Sequence, residues 1–185
     1  MVKEITLEWM KKVSACSEAC EALELSGLSD PFEVLDRAIE IDRFDWANWM
    51  IVRLMNKKQR VQYAIFSAEL VIGIFEKAVP EDDRPRKAIE AAKDYLEKPS
   101  EETKEATCDA ASSAYDAAYA ALDAASSVYA AYASSVYAAY AAYAATDDAL
   151  DAASDAASSA AYAVADPTLK EQIIEYGKLL LKGRK

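Results

Sequence analysis

Residues 105–166 read EATCDAASSAYDAAYAALDAASSVYAAYASSVYAAYAAYAATDDALDAASDAASSAAYAVAD, and the spacing inside this stretch decides the fold. From Ser100 to Asp166 there is neither Gly nor Pro, and Ala supplies 28 of the 60 residues between Ala106 and Ala165. Such bias can mean a disordered chain or a helix. Ala is the best helix former, and the interleaved tyrosines supply apolar area to bury, so the reading is helix. Cys108, Tyr115, Leu122, Tyr129, Val136, Tyr143 and Leu150 follow one another at steps of seven. If that line is position a of a heptad, position d is Ala111, Ala118, Ala125, Tyr132 and Ala139, almost wholly small. The line one residue after a carries Asp109, Asp116, Asp123 and Tyr137. Large residues alternating with Ala along one seam let helix axes approach closely, so we expect the seam in the core and the Asp line outside.

One helix over residues 100–166 would run roughly 100 Å. We therefore expect a reversal at Thr146-Asp147-Asp148, where three cap-type residues cluster, and so a pair of antiparallel helices. The competing reading is one uninterrupted helix in an intermolecular coiled coil. The motif DAASS starts at Asp109 and Asp123 in phase, and at Asp155 out of phase by four residues.

Outward from this segment the chain is also helical. A first helix is predicted over Leu7–Leu25, with Thr6 as N-cap, Gly27 just beyond its end, and Trp9, Val13, Cys16, Cys20 and Leu23 toward the core. Asp30-Pro31 opens a second helix, with Glu33 completing a capping box and Val34, Leu35, Ala38 and Ile39 buried. Asp45 is expected to cap a third helix that ends near Asn56. A fourth spans about Lys58 to Val79; its run AIFSAELVIGIF is apolar on most sides and marks it as central. A fifth covers Arg86 to Leu96, and Ser100 caps the Ala-rich segment. The closing helix follows Asp166-Pro167, with Leu169, Ile173, Tyr176 and Leu180 as its stripe. The expected fold is all-α: a single-domain multi-helix bundle over 1–185, with five helices in 1–98, long Ala/Tyr-rich antiparallel helices in 100–166 and a closing amphipathic helix in 167–185.

Charge and composition limit the chemistry. The net charge is −11, and residues 105–169 hold nine acids and no Lys or Arg. That disfavours direct nucleic-acid binding and favours a basic partner. His is absent, which removes the commonest general base and metal ligand. No P-loop, nucleophile elbow or metal-ligand spacing is present, so we expect no enzyme activity, no catalytic residues, no cofactor and no metal. Cys16, Cys20 and Cys108 read as small buried apolar residues in a reducing compartment. No apolar run is long enough to span a membrane and the N-terminus lacks a signal-type run, so a soluble, cytoplasmic protein is expected.

Residues 45–98 carry a resemblance. The run DWANWMIVRLMNKKQRVQYAIFSAELVIGIFEKAVPEDDRPRKAIEAAKDYL, followed by an Ala/Tyr/Asp-rich region and a short amphipathic helix, resembles the Ala-rich immunity protein family of bacteria and their phages. The resemblance implies an all-helical fold and an interaction role. It implies no catalytic or binding residues.

Two candidate sites follow. An acidic, tyrosine-bearing surface made of Asp109, Asp116, Tyr119, Asp123, Tyr137 and Tyr140 would bind a protein partner, a toxin or a defence component, since Tyr offers contact area with little entropy to lose. The alternative is a small nucleotide-like ligand held by Trp46, Trp49, Arg53, Arg84 and Arg86 between helices. For Arg84 and Arg86 the plainer role is a helix start around Pro85, paired with acids. Lys57, Lys58 and Arg60 sit near a helix N-terminus, where cations oppose the dipole, so acids elsewhere or a ligand should offset them. Homo-oligomerisation through the seam is the architectural option.

Overall fold

A computed structural model of the chain describes residues 4–124, 136, 140–141, 150–163 and 168–183. Among the described residues there are nine helices and no strand: α1 (Leu7–Lys12), α2 (Ser17–Ser26), α3 (Pro31–Glu40), α4 (Phe44–Leu54), α5 (Lys57–Ala78), α6 (Arg84–Glu97), α7 (Glu101–Ala124), α8 (Leu150–Ala163) and α9 (Thr168–Lys182). No helix among them is long and apolar enough to cross a membrane. The protein is an all-α multi-helix bundle.

The segment predicted as one helix over Leu7–Leu25 is two. Thr6 caps α1 by accepting from the Trp9 amide at 3.1 Å, as its sequence position indicates. The helix then stops because Ser14 takes the left-handed conformation, φ 60°. The Ala15 amide reaches back to the Met10 carbonyl at 2.9 Å and the Ser14 amide to that of Lys11 at 3.1 Å. This is a Schellman ending built on Ser rather than Gly. Asp42, φ 55°, ends α3 the same way, with the Arg43 amide on the Ala38 carbonyl at 2.7 Å. The break turns Cys16 out to solvent at the start of α2, contrary to its expected burial, and leaves Met10, Ala19 and Leu23 as the buried side chains of this pair. Gly27 closes α2 at φ 65°, a conformation suited to Gly.

Asp30 caps α3 through the Phe32 and Glu33 amides, at 2.9 and 3.1 Å. Asp45, expected to cap α4, instead lies in its first turn. Arg43 holds the cap position, and its guanidinium meets the Asp45 carboxylate in a two-bonded fork at 2.9 and 3.0 Å. Asn56 and Gln59 form a reciprocal capping box at the head of α5. Arg60 explains why cations are tolerated there. The end of α4 lies beside the start of α5, and the Arg60 Nε donates to the Val52 carbonyl at 3.0 Å. The cation thus serves the negative end of the preceding helix.

α5 is the central helix, as its all-round apolar run indicates: Val61, Tyr63, Ala64, Ala68, Val71, Ile72 and Phe75 are buried, and α6, α8 and α9 pack on it. α4 packs on α3, α8 and α9 and buries Phe44, Met50, Ile51, Val52 and Leu54. Each such side chain contributes roughly 1.5–3 kcal/mol by leaving water. α9 can approach α4 and α5 because position 177 is Gly; a Cβ there would stand 2.5 Å from Ile51 Cδ1 and 2.9 Å from Tyr63 Cε2.

α8 is fastened through a buried polar cluster. The Asn48 amide on α4 donates to the Ser154 carbonyl at 2.8 Å and to the Ser158 hydroxyl at 2.7 Å, and the Tyr63 hydroxyl donates to Asn48 Oδ1 at 3.0 Å. The out-of-phase DAASS copy therefore has a structural use: its Ser158, and Ser154 one turn before, face Asn48. The Tyr115 and Tyr140 rings meet edge to face with centroids 5.8 Å apart. On one straight helix they would stand about 37 Å apart, so a single uninterrupted helix is excluded. Tyr140 is thus already back beside α7, upstream of the reversal expected at Thr146-Asp147-Asp148, which itself lies outside the described residues.

Candidate functional site

Ser100 caps α7: its hydroxyl accepts from the Thr103 amide at 3.1 Å while Thr103 Oγ1 accepts from the Ser100 amide at 3.0 Å. It packs along α6. Thr107, Ala111, Ala114, Ala117 and Ala118 are buried, and the Thr107 hydroxyl meets the Ala91 carbonyl at 3.1 Å. Ala88 and Ala92 on α6 are likewise fully buried. The contact line is thus centred on the small residues of position d and the residue before a. The large residues of the seven-residue line, Cys108 and Tyr115, are half-buried at its edge rather than in its centre. Small residues make the contact because they let the two helix backbones come close, and the larger groups close the flank.

The opposite face of α7 carries Glu105, Asp109, Ser112, Asp116 and Tyr119, all exposed, at helical spacings of four, three, four and three. Tyr119 is 59% exposed, a large ring on the same face as the carboxylates. Asp109, Asp116 and Tyr119 therefore stand on one face, as their positions in the sequence indicate. Asp123 follows on the same helix, but its side chain, like all of Tyr137, lies outside the described residues. Tyr140 is half-buried against Tyr115 and does not share the open stripe. The stripe has a cationic neighbour at one end. Arg84, at the start of α6, has its pKa raised first by hydrogen bonding to Asp82 and more weakly by the charge of Asp116.

The residues of the alternative site divide. Trp46 and Trp49 line a groove of about 630 Å³ between the α1–α2 pair and the α3–α4 pair. The Arg43 guanidinium lies 3.4 Å from the Trp46 ring centroid, and that of Arg53 lies 3.9 Å from the Trp49 centroid. Arg53 also donates to the Trp49 carbonyl at 3.0 Å. Arg84 and Arg86 are elsewhere, at the α5–α6 turn. Arg84 pairs with Asp82 at 2.6 Å and Arg86 with Glu76 at 2.7 Å, the helix-start role that Pro85 suggests. Hydrogen bonds from Arg84 and Arg43 hold Asp82 and Asp45 below the usual carboxylate range.

Arg37, Arg43, Met10 and Met50 of the groove were not singled out from sequence. Their roles depend on the α1–α2 and α3–α4 pairs lining one groove, a placement that sequence spacing does not carry. Asn48 did carry a local signal, an amide inside the otherwise apolar run WANWMIV, residues 46–52. Among the described residues, no group of three or more His, Cys, Asp or Glu side chains is placed to hold a metal ion. Comparison with protein-family models, with curated proteins and with solved structures finds no match to this chain.

Proposed function

We propose that this protein works by binding a protein partner through the outer face of α7, and that the partner presents a basic surface. The observation that carries the reading is the exposed stripe of Glu105, Asp109, Asp116 and Tyr119 on a helix whose other face is packed. From Glu105 to Tyr119 the stripe extends about 21 Å. The carboxylates would steer a cationic partner over distance, and Tyr119 would supply the apolar anchor. The resemblance to immunity proteins of bacteria and phages supports an immunity or anti-defence role, in which the partner is neutralised by occlusion. The nucleotide-like alternative has less support, because Arg84 and Arg86 are engaged by Asp82 and Glu76 and neither lines the groove that holds the two tryptophans.

The test is affinity capture on the wild-type chain and on the Asp109→Lys/Asp116→Lys and Tyr119→Ala variants, at low and high salt. A basic protein retained by wild type at low salt, released at high salt and lost from both variants is the expected result. Retention unchanged by the charge reversal would overturn the reading.

A further inference from the structure

The groove between the α1–α2 and α3–α4 pairs has the size of a small-molecule site, about 630 Å³, within the usual range of roughly 300–1,000 Å³. Its walls are chiefly aliphatic. Met10, Leu23 and Leu28 line one side, and Val34, Ile41 and Met50 the other. Methionines adapt to a flexible guest because their side chains are unbranched. Leu25 and Ile41, both at the groove, are exposed by 88% and 39%, so the walls continue to an open mouth.

The polar groups of the groove are not equivalent. Arg43 is held on three sides: forked to Asp45, 3.3 Å from Glu18, and stacked on Trp46. Arg37 is bound less firmly. Its partner is Glu40, three residues on along the same helix, at 3.1 Å, and both side chains are more than half exposed. Surface pairs of this kind are weak, so a ligand anion can compete with Glu40. The two lining cations thus face three carboxylates, Asp45, Glu18 and Glu40, and Arg37 is the one whose carboxylate partner is held only by an exposed pair on its own helix.

We propose that this groove binds a small anionic amphiphile, an unbranched aliphatic chain ending in a carboxylate, with the chain along the Met/Leu/Val trough and the carboxylate on Arg37. The site is separate from the α7 stripe, and its failure would leave the partner-binding reading untouched.

The probe is dodecanoate below its micellar concentration, titrated into the full chain and followed by tryptophan emission, to which Trp46 and Trp49 report, and by calorimetry. Dodecanol and dodecyltrimethylammonium serve as same-length neutral and cationic controls. Saturable binding of one dodecanoate per chain, with the trimethylammonium amphiphile excluded, is the expected result. Arg37→Gln weakens dodecanoate by roughly tenfold, the loss of one charge-assisted contact, and leaves dodecanol unchanged. Ala22→Phe, which fills the trough from α2, abolishes binding of both. Absence of dodecanoate binding overturns the proposal, as does equal binding of the cationic amphiphile or an Arg37→Gln variant indistinguishable from wild type. Arg37 is exposed, so that variant tests the proposal even where Ala22→Phe disturbs folding.

Discussion

Two glycines inside helices differ only in what surrounds them, and the difference decides the sign of the same substitution. A Cβ at Gly73 meets nothing within 4 Å. Gly73→Ala therefore removes the backbone-entropy cost of a helical Gly, and we expect it to stabilise by about 0.5–1 kcal/mol. Gly177→Ala gains the same propensity but drives a methyl into Ile51 and Tyr63. Tyr63 cannot swing aside freely, since its hydroxyl is bound to Asn48. Overpacking costs typically about 1–3 kcal/mol, so net destabilisation is expected. Chemical denaturation of the two variants checks both signs, and a stabilised Gly177→Ala would show that α9 does not sit where its contacts place it. Asn48 poses a related question of coupling. Truncation to Ala strands the buried Tyr63 hydroxyl, at about 1–3 kcal/mol for a group left unpaired, and removes the donor to the half-buried Ser158 hydroxyl. Tyr63→Phe strands Asn48 Oδ1. The double variant should lose less than the sum of the singles, because each partner's penalty vanishes with the other; strict additivity would mean the three helices are not joined through this cluster.

At the scale of elements, helix ends are where sequence and structure agree best and where they part. Thr6, Asp30 and Ser100 cap as their residue types indicate, because a cap is a local bond between a side chain and an amide two or three residues away. The break between α1 and α2 was not legible. Its residue in the left-handed conformation is Ser14, a type with little preference for that region, inside a run whose apolar spacing continues across the break. On α7, Asp109 and Asp116 are exposed as read, but the packed line is the small one rather than the line of Cys108 and Tyr115. Spacing reveals which residues share a face, whereas the choice between a small and a large line depends on the partner helix, here the alanines of α6. The Asn56–Gln59 box tests how far one end supports another. Asn56 serves α5 alone, accepting from the Gln59 amide at 2.9 Å. Gln59 serves both α5 and, through its Nε2 on the Leu180 carbonyl at 2.6 Å, the end of α9. We expect Asn56→Ala to cost about 1 kcal/mol and Gln59→Ala to cost more, read from thermal unfolding. The reverse order would detach α9 from the head of α5.

Across the whole molecule, the absence of His leaves no side chain that ordinarily titrates between about pH 5 and 8, so the pH dependence of stability must come from the two ends of the scale. At the acid end, Asp45 and Asp82 have lowered pKa values through hydrogen bonds from Arg43 and Arg84. Their contribution is present above the unfolded carboxylate value, about 4, and is lost as pH falls through the lower folded values. At the alkaline end, burial pushes the Tyr63 phenol well above its ordinary value. Below about pH 10 the folded and unfolded chains both hold that proton; above it the unfolded chain releases it first, so stability falls by up to about 1.4 kcal/mol per pH unit. Lys178 acts in the same direction: burial alone would lower its pKa, but hydrogen bonds to Asp36 and Glu175 outweigh burial and raise it. The urea midpoint should therefore be flat from about pH 5 to 9 and fall on either side. Tyr63→Phe should lower the plateau, by stranding Asn48, while making the alkaline limb shallower, because one of the groups that hold a proton there is gone. An alkaline limb that Tyr63→Phe leaves as steep as before would mean that Tyr63 is not buried in the packing between α4, α5 and α8.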